Sequence, residues 1–185
     1  MLSPTFPLRT ERLLLRPLTD DDFDDLYAFQ SDPDVTRYVS YDTRDRDGMR
    51  TALESKKRDT VVSKAGDRLS LGVTVPPDRT VIGEMNLFLQ DTANRMAEIG
   101  YVFHPAHQGR GYALEAAREM LRVGFEDLRM HRMTAQCDAR NTASWKLMEK
   151  LGMRREAHFV RNEIFKGEWV DLLVYAMLED EWAAR

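Results

Sequence analysis

The chain has 185 residues, 43% of them hydrophobic and 31% charged, enough to bury one sizeable core and too little for two, so a single domain over 1–185 is expected. Lys and Arg total 27 against 31 Asp and Glu, a formal net charge of −4, whereas a nucleic-acid binder needs the opposite balance to neutralise phosphates; nucleic acid is not an expected partner. The longest apolar run, Leu172 to Leu178, falls far short of the ~20 residues of a membrane-crossing helix, and Pro4, Pro7 and Arg9 break the N-terminal apolar residues, so no membrane span or secretory signal is read and the expected location is cytoplasmic.

Arg12 to Arg16 is a short apolar run that Pro17 ends, predicting an early strand. Thr19 and Asp20 offer N-cap oxygens to a helix carrying Phe23, Leu26, Tyr27 and Gln30 at helical spacing, and Asp20, Asp21 and Asp22 suit the positive end of its dipole. A second helix is predicted from Arg46 to Lys57, with Met49, Ala52 and Leu53 inward and cations at its C-terminal end. Residues 59–68 have no clear period and read as a loop or insertion. Leu69–Val75, halted by Pro76-Pro77, and Val81–Leu89 predict a hairpin. A strand Ala97–Phe103 precedes an amphipathic helix with Leu114, Ala117, Leu121, Phe125 and Leu128 on one face. There follow a strand Arg132–Cys137, a helix Asn141–Leu151 stopped by Gly152, and strands Phe159–Phe165 and Trp169–Leu178 joined through Lys166-Gly167-Glu168. Helices and strands are mixed rather than alternating, so the expected class is α+β with a largely antiparallel sheet.

Between the central strand and the amphipathic helix lies Gln108-Gly109-Arg110-Gly111-Tyr112-Ala113. Glycines 109 and 111 let the backbone curl and bring its N–H groups close to a ligand. The first amides of the following helix have no intrahelical acceptor and sit at the positive dipole end, which favours phosphate or pyrophosphate. A P-loop needs Lys-Ser or Lys-Thr after its last glycine, where Tyr112-Ala113 stands, and a dinucleotide fingerprint needs Gly or Ala where Leu114 stands.

The pattern that fits is Q/R-x-x-G-x-G/A, with Gln108, Gly111 and Ala113 in the specified places. It resembles the acetyl-coenzyme A loop of the GNAT N-acetyltransferases. Around it, Thr10 to Arg16, Ala97 to Tyr101, Asn141 to Ser144, Glu149 to Met153 and Gly167 to Asp171 with Tyr175 are similar to the RimJ/RimL-type branch. The resemblance covers most of the chain except residues 40–70.

This resemblance implies the GNAT fold, a mixed and mostly antiparallel sheet flanked by helices with splayed central strands. It implies that the pantetheine arm of acetyl-CoA lies in the splay against the backbone of Tyr101, Val102 and Phe103, where side-chain identity matters little. The pyrophosphate is then expected on the amides of Gly109, Arg110, Gly111, Tyr112 and Ala113, with Arg110 adding a charge-assisted contact unless it is a solvated loop cation. Asn141 matches a pantetheine-contacting asparagine and is equally suited to be a helix N-cap. Ser144 matches a serine near the coenzyme sulfur, its plainer role being that of a solvent-facing helix residue.

The implied reaction is attack of an amine on a thioester, which needs a base, because an alkyl ammonium with pKa ~10 has no lone pair at neutral pH. Glu98 is the leading base candidate and Glu84 the second; either is otherwise an exposed strand carboxylate. Backbone N–H groups of Val102 or Phe103 are expected to face the oxyanion. Many relatives carry a tyrosine as acid where Met148 stands here, which shifts that role to Ser144, with Tyr112 and Tyr175 as other options. No metal is expected, since His104 and His107 lack a further ligand and the one cysteine, Cys137, excludes a disulfide or multi-thiolate zinc site. Cys137 itself reads as a small core residue and Trp145, Trp169 and Trp182 as packing residues.

The expected function is therefore acetyl transfer from acetyl-CoA to a primary amine, a protein N-terminal α-amine or a small amine. Two alternatives are a non-catalytic acyl-CoA-binding or sensor module and a transferase using succinyl or another acyl donor. The acids Asp20 to Asp25, Asp32, Asp34, Asp42, Asp45 and Asp47 either line an acceptor cleft and draw in cations or form solvated helix faces. The resemblance also raises homodimerisation through the C-terminal strands.

Overall fold

The computed structural model describes residues 4–185; residues 1–3, part of the N-terminal segment considered above, lie outside the described residues. In chain order the elements are β1 (Leu8–Arg9), β2 (Leu14–Pro17), α1 (Phe23–Gln30), α2 (Pro33–Thr36), α3 (Arg46–Lys56), β3 (Arg68–Thr74), β4 (Gly83–Asp91) and β5 (Met96–Phe103). Then come α4 (Tyr112–Arg122), β6 (Arg132–Asp138), α5 (Thr142–Lys150), β7 (Arg154–Phe165), β8 (Glu168–Leu178) and α6 (Glu179–Ala183). Thr19 heads a short 3-10 turn, Asp20–Asp22, that leads into α1, and α4 widens into a π-turn over Val123–Asp127.

All strands join one eight-stranded sheet in the order β1-β2-β3-β4-β5-β6-β8-β7. Every pairing is antiparallel except β5 with β6, as the mixed but mainly antiparallel GNAT expectation requires. Alternation along the strands divides two faces. One carries Leu69, Leu71, Met85, Leu87, Ile99, Met133 and Tyr175 into a core closed by Ala116, Ala117, Met120 and Leu121 of α4 and by Met148 of α5. The opposite face carries Glu84, Glu98 and Val102, and over it α1 and α3 pack through Leu26, Phe29, Met49 and Leu53 in a second, smaller cluster that includes Val102.

The parallel seam between β5 and β6 positions the site. Its register runs through Met96↔Arg132, Ala97↔Met133 and Glu98↔Thr134 and goes no further. Beyond Glu98, β5 stays paired with β4 up to Phe103↔Gly83, while β6 stays paired with β8 up to Asp138↔Leu172. The two strands therefore diverge, leaving facing edges at Ile99–Phe103 and Ala135–Asp138.

Residues 59–67 form a loop, as read for 59–68, with Arg68 opening β3, and the loop is tied down: Asp67 Oδ2 accepts from the amides of Ser63 at 2.7 Å and Lys64 at 3.0 Å, Ser70 N donates to Asp59 O at 2.7 Å, and Val62 enters the main core. Other expectations need correction. Strand β7 begins at Arg154, five residues before the predicted Phe159, because it is an exposed edge strand whose polar residues hide the alternation. Finally β1, α2 and α6 were not predicted; each is five residues or fewer, too short to show a period.

Candidate active site

The glycine loop is built as a turn of left-handed backbone. Gly109 and Gly111 have φ of +73° and +80°, a region that residues with a Cβ rarely adopt. Gly111 is the N-cap of α4, and the first bond of that helix runs from Glu115 N to Gly111 O at 3.1 Å. The amides of Tyr112, Ala113 and Leu114 precede it and point out of the helix end. Gln108, expected at the coenzyme, donates from Nε2 to Phe103 O at 3.1 Å; it pegs the loop to the end of β5. Arg110 is exposed, and its carbonyl accepts from Arg12 Nη1 at 3.1 Å. Arg12 also pairs with Glu115 at 2.6 Å and lies over the Tyr112 ring at 5.0 Å. This N-terminal tether spans about a hundred residues of sequence and had no signal in any local pattern.

Two clefts meet at the splay. The first, about 540 Å³, runs past Phe103, Gly109, Gly111 and Ala113 on one wall and Ala143, Lys146, Leu147 and Lys150 of α5 on the other. Lys146 and Lys150 were not singled out in the sequence, although the spacing 143, 146, 147 and 150 is one helix face. The second, about 470 Å³, lies on the polar face of the sheet beside Glu84, Asn86, Glu98, Gln136 and Asp138, under Tyr38, Tyr41 and Arg44. Both clefts are lined by Tyr101, Val102, Asn141 and Ser144.

Backbone direction along β5 follows from one bond. His104 N donates to Ile82 O at 2.9 Å, which makes Phe103↔Gly83 a non-bonded pair of the antiparallel ladder. By alternation Val102 exchanges its bonds with Glu84, and Tyr101 and Phe103 direct their N–H and C=O groups away from β4, toward the gap. The expected oxyanion donor therefore moves from Val102 to Tyr101, with Phe103 retained. Val102 contributes instead a buried side chain against Leu26 and Phe29.

Tyr101 also carries more than backbone. Its Oη lies 2.9 Å from Ser144 Oγ and donates to Ser144 O at 3.2 Å. Burial pushes its phenol above the ordinary value, so the hydroxyl keeps its proton. Ser144 is 8% exposed rather than solvent-facing, and Asn141 caps α5 by accepting from Ser144 N at 3.2 Å. That cap uses Oδ1 and leaves the Nδ2 donor end outside it. Burial pushes the Cys137 thiol up to about 11, opposed by its contact with Ser144, which keeps it a protonated wall residue. Tyr175 is fully buried with its hydroxyl on Glu149 at 3.1 Å and lines neither cleft. Met148 lines the second cleft and has no proton to give.

The two carboxylates have different surroundings. Glu84 is fully buried: Lys56 bonds one oxygen, Gln30 Nε2 reaches the other at 2.8 Å, and Asn86 Nδ2 adds 3.0 Å. With three donors on two oxygens it is a held counter-charge, not the exposed strand acid considered from sequence. Burial lowers the Lys56 pKa, against the pull of Glu84. Glu98 sits where β5 and β6 part, half-buried, accepting from Gln90 at 2.8 Å. Burial pushes its carboxyl above the ordinary carboxylate range, opposed by bonds from Gln90 and Gln136.

The N-terminal acids do not line the second cleft. Asp22 pairs with Arg16 at 2.7 Å, Asp20 with Lys57 at 2.6 Å and Asp24 with Arg46 at 3.0 Å. Asp25 accepts from Val81 N at 2.8 Å, while Asp32 and Asp45 cap α2 and α3. Among the described residues, no group of three or more His, Cys, Asp or Glu is placed to hold a metal ion, and no helix is long and apolar enough to cross a membrane.

Residues 12–154 match the acetyltransferase (GNAT) domain family. The uncharacterized N-acetyltransferase YnaD of Bacillus subtilis (strain 168) is 34% identical over 176 residues, covering 95% of this chain and 98% of the relative. The crystal structure of an acetyltransferase (GNAT family) from Bacillus anthracis is similar with a TM-score of 0.84 at 30% identity, covering 95% of this chain and 100% of that one. A spermidine N-acetyltransferase from Vibrio cholerae, solved in complex with CoA and spermine, shares the fold with a TM-score of 0.79 at 20% identity, over 94% of this chain and 99% of that one. The matched segment begins at Arg12, includes the glycine loop and the splay and ends at Arg154, and the chain belongs to the GNAT acetyltransferase family.

Proposed function

We propose that the chain transfers acetyl from acetyl-CoA to a primary amine by direct attack in a ternary complex, in the manner of the RimJ/RimL-type branch. The observation that carries this is the meeting of two clefts at Tyr101, Val102, Asn141 and Ser144, one beside the glycine loop and the other beside Glu98. The residues of the first cleft suit the coenzyme: free amides at the head of α4 and the cations Lys146 and Lys150 for phosphate, and β5 backbone for the pantetheine arm. A thioester at the junction is then open to an amine entering from the second.

In this reading Glu98 takes a proton from the incoming ammonium, directly or through water; burial raises its pKa, which makes it a stronger base than an ordinary carboxylate. The amine nitrogen bonds to the carbonyl carbon and the C=O pair moves to oxygen, where the N–H of Tyr101 or Phe103 meets the developing charge. Re-formation of the carbonyl breaks the carbon–sulfur bond. The Ser144 hydroxyl, held by Tyr101 Oη, donates a hydrogen bond to the departing sulfur, and the second proton of the attacking nitrogen passes through it to the thiolate, leaving a neutral amide and the free thiol. Glu84, held by Lys56, Gln30 and Asn86, forms part of the cleft floor.

The test is release of coenzyme thiol from acetyl-CoA with and without amines, comparing succinyl-CoA as donor. Amine-stimulated release with transfer of acetyl to nitrogen supports the reading. Binding of acetyl-CoA without release across peptides and small amines identifies a binding module instead, and faster release from succinyl-CoA identifies another acyl donor.

A further inference from the structure

The second cleft is lined by a cation without a carboxylate partner. Three cations line it, Arg44, Lys56 and Arg68. Lys56 is paired with Glu84 and Arg68 with Asp59. Arg44 has no carboxylate partner among the described residues; its one side-chain bond runs from Nη1 to Gly48 O at 3.5 Å, and its Nε is buried without a partner. The guanidinium stacks 4.2 Å from the centre of the Tyr41 ring, and Tyr41 Oη, also lining the cleft, is a second buried donor without a partner. A buried donor left without an acceptor is costly, and two of them on stacked side chains call for an acceptor from outside the chain.

Two acids of the same cleft are neutralised: Asp138 is spent on Arg140, and Glu84, whose charge acts on Tyr41, is spent on Lys56. What remains is Glu98 at the splay and Glu163 at the exposed rim, so the cleft offers carboxylate to an amine and guanidinium with hydroxyl to an anion. We propose that the acceptor is an amino acid-like molecule carrying both groups: its amine faces Glu98, and its carboxylate is received by the Nε edge of Arg44 and by Tyr41 Oη. The planar guanidinium edge offers parallel N–H groups that match a carboxylate. A polyamine lacks the anion and places a second cation against Arg44. This inference rests on the acetyl-transfer reading and names its substrate class.

The experiment measures kcat and KM with matched acceptors: ω-amino carboxylates of one to four methylenes, their carboxamides, the corresponding diamines, 2-aminoethylphosphonate, and the peptides Ser-Glu-Ala and Ser-Gln-Ala amidated at the C-terminus. Expected is a KM at least roughly tenfold lower for a carboxylate than for its carboxamide. Arg44→Gln abolishes that preference while leaving the carboxamide KM and acetyl-CoA binding in place, and Arg44→Lys restores only part. Tyr41→Phe, which keeps the ring under the guanidinium, raises KM for the carboxylate without changing kcat. Phosphonate preferred over carboxylate, equal KM values for carboxylate and carboxamide, or preference for diamines overturns the proposal while acetyl transfer stands. No transfer to any amine despite acetyl-CoA binding overturns both.

Discussion

Tyr101 Oη stands 2.9 Å from Ser144 Oγ, linking the splayed edge of β5 to the first turn of α5 across the junction of the two clefts. The link joins a phenol that burial keeps protonated to a hydroxyl that is almost fully buried. The phenol thus fixes the position of the Ser144 hydroxyl from behind. The two hydroxyls form one hydrogen-bonded chain, and its members are expected to act together.

Tyr101→Phe and Ser144→Ala are each expected to lower kcat about tenfold, the worth of one hydrogen bond of roughly 1–1.5 kcal/mol. The double variant should be no slower than the slower single one, because both substitutions break the same chain. Steady-state kinetics of the four proteins form the cycle, and additive losses would assign the two hydroxyls to separate roles.

Glu98→Gln removes the proposed base, with an expected loss of 10²–10⁴-fold in kcat and unchanged acetyl-CoA affinity. Burial raises this carboxyl above the ordinary range, so the group accepts a proton above its own pKa and is inert below it. The kcat profile of the wild type should therefore fall on the acid side at a pH above the ~4.3 of a free glutamate. That limb should vanish in Glu98→Gln, and a limb unmoved by the substitution would belong to another group.

The glycine loop and the order of elements around it were legible because each depends on local chemistry: positive-φ glycines, an unfilled helix end, a strand halted by Pro105. The strand Ala97–Phe103 and the helix capped by Asn141 fall within a residue of their observed bounds. Which strand amides face the gap was not legible, since that depends on ladder phase against β4 and differs by one residue between Val102 and its neighbours. Glu84 and Glu98 look alike as strand carboxylates. Only the fold brings Lys56, Gln30 and Asn86 to the first, and those contacts separate held charge from available base. Arg44 and Tyr41 lie in the 40–70 stretch that the family resemblance leaves out, and their stacking arises from tertiary packing.

The buried Lys56–Glu84 pair makes a stability prediction distinct from catalysis. Removing one partner leaves the other charged and unpaired in the interior, so Lys56→Met or Glu84→Gln should cost about 3–5 kcal/mol. Replacing both, as Lys56→Met with Glu84→Leu, should recover most of that loss, because the desolvation cost disappears with the charges. Denaturant unfolding of the three variants checks this. A double variant as unstable as the singles would mean that the bonds from Gln30 and Asn86, rather than the ion pair, hold this face together.

At the other end of the sheet Glu156 bridges two strands, bonding Arg132 of β6 and, at 2.6 Å, Arg154 of its own strand. The bonds from Arg132, and then those from Arg154, outweigh burial and hold its carboxyl at about 2, against an ordinary value of 4.5. A depressed folded pKa gives stability that is present above the unfolded value and is lost as pH falls through the folded one. The window here runs from about 4.5 down to about 2. Because the side chain is partly solvated, 27% exposed, screening limits the contribution to about 1 kcal/mol or less. Glu156→Gln should thus lower Tm by roughly 2–4 °C at pH 7, with the gap to wild type narrowing as pH drops from 5 to 3 and shrinking also in 1 M salt at pH 7. Thermal melts followed by circular dichroism read both. A gap that stays constant across that range would mean that Glu156 stabilises the strand pair through shape and neutral hydrogen bonding, with its charge contributing nothing.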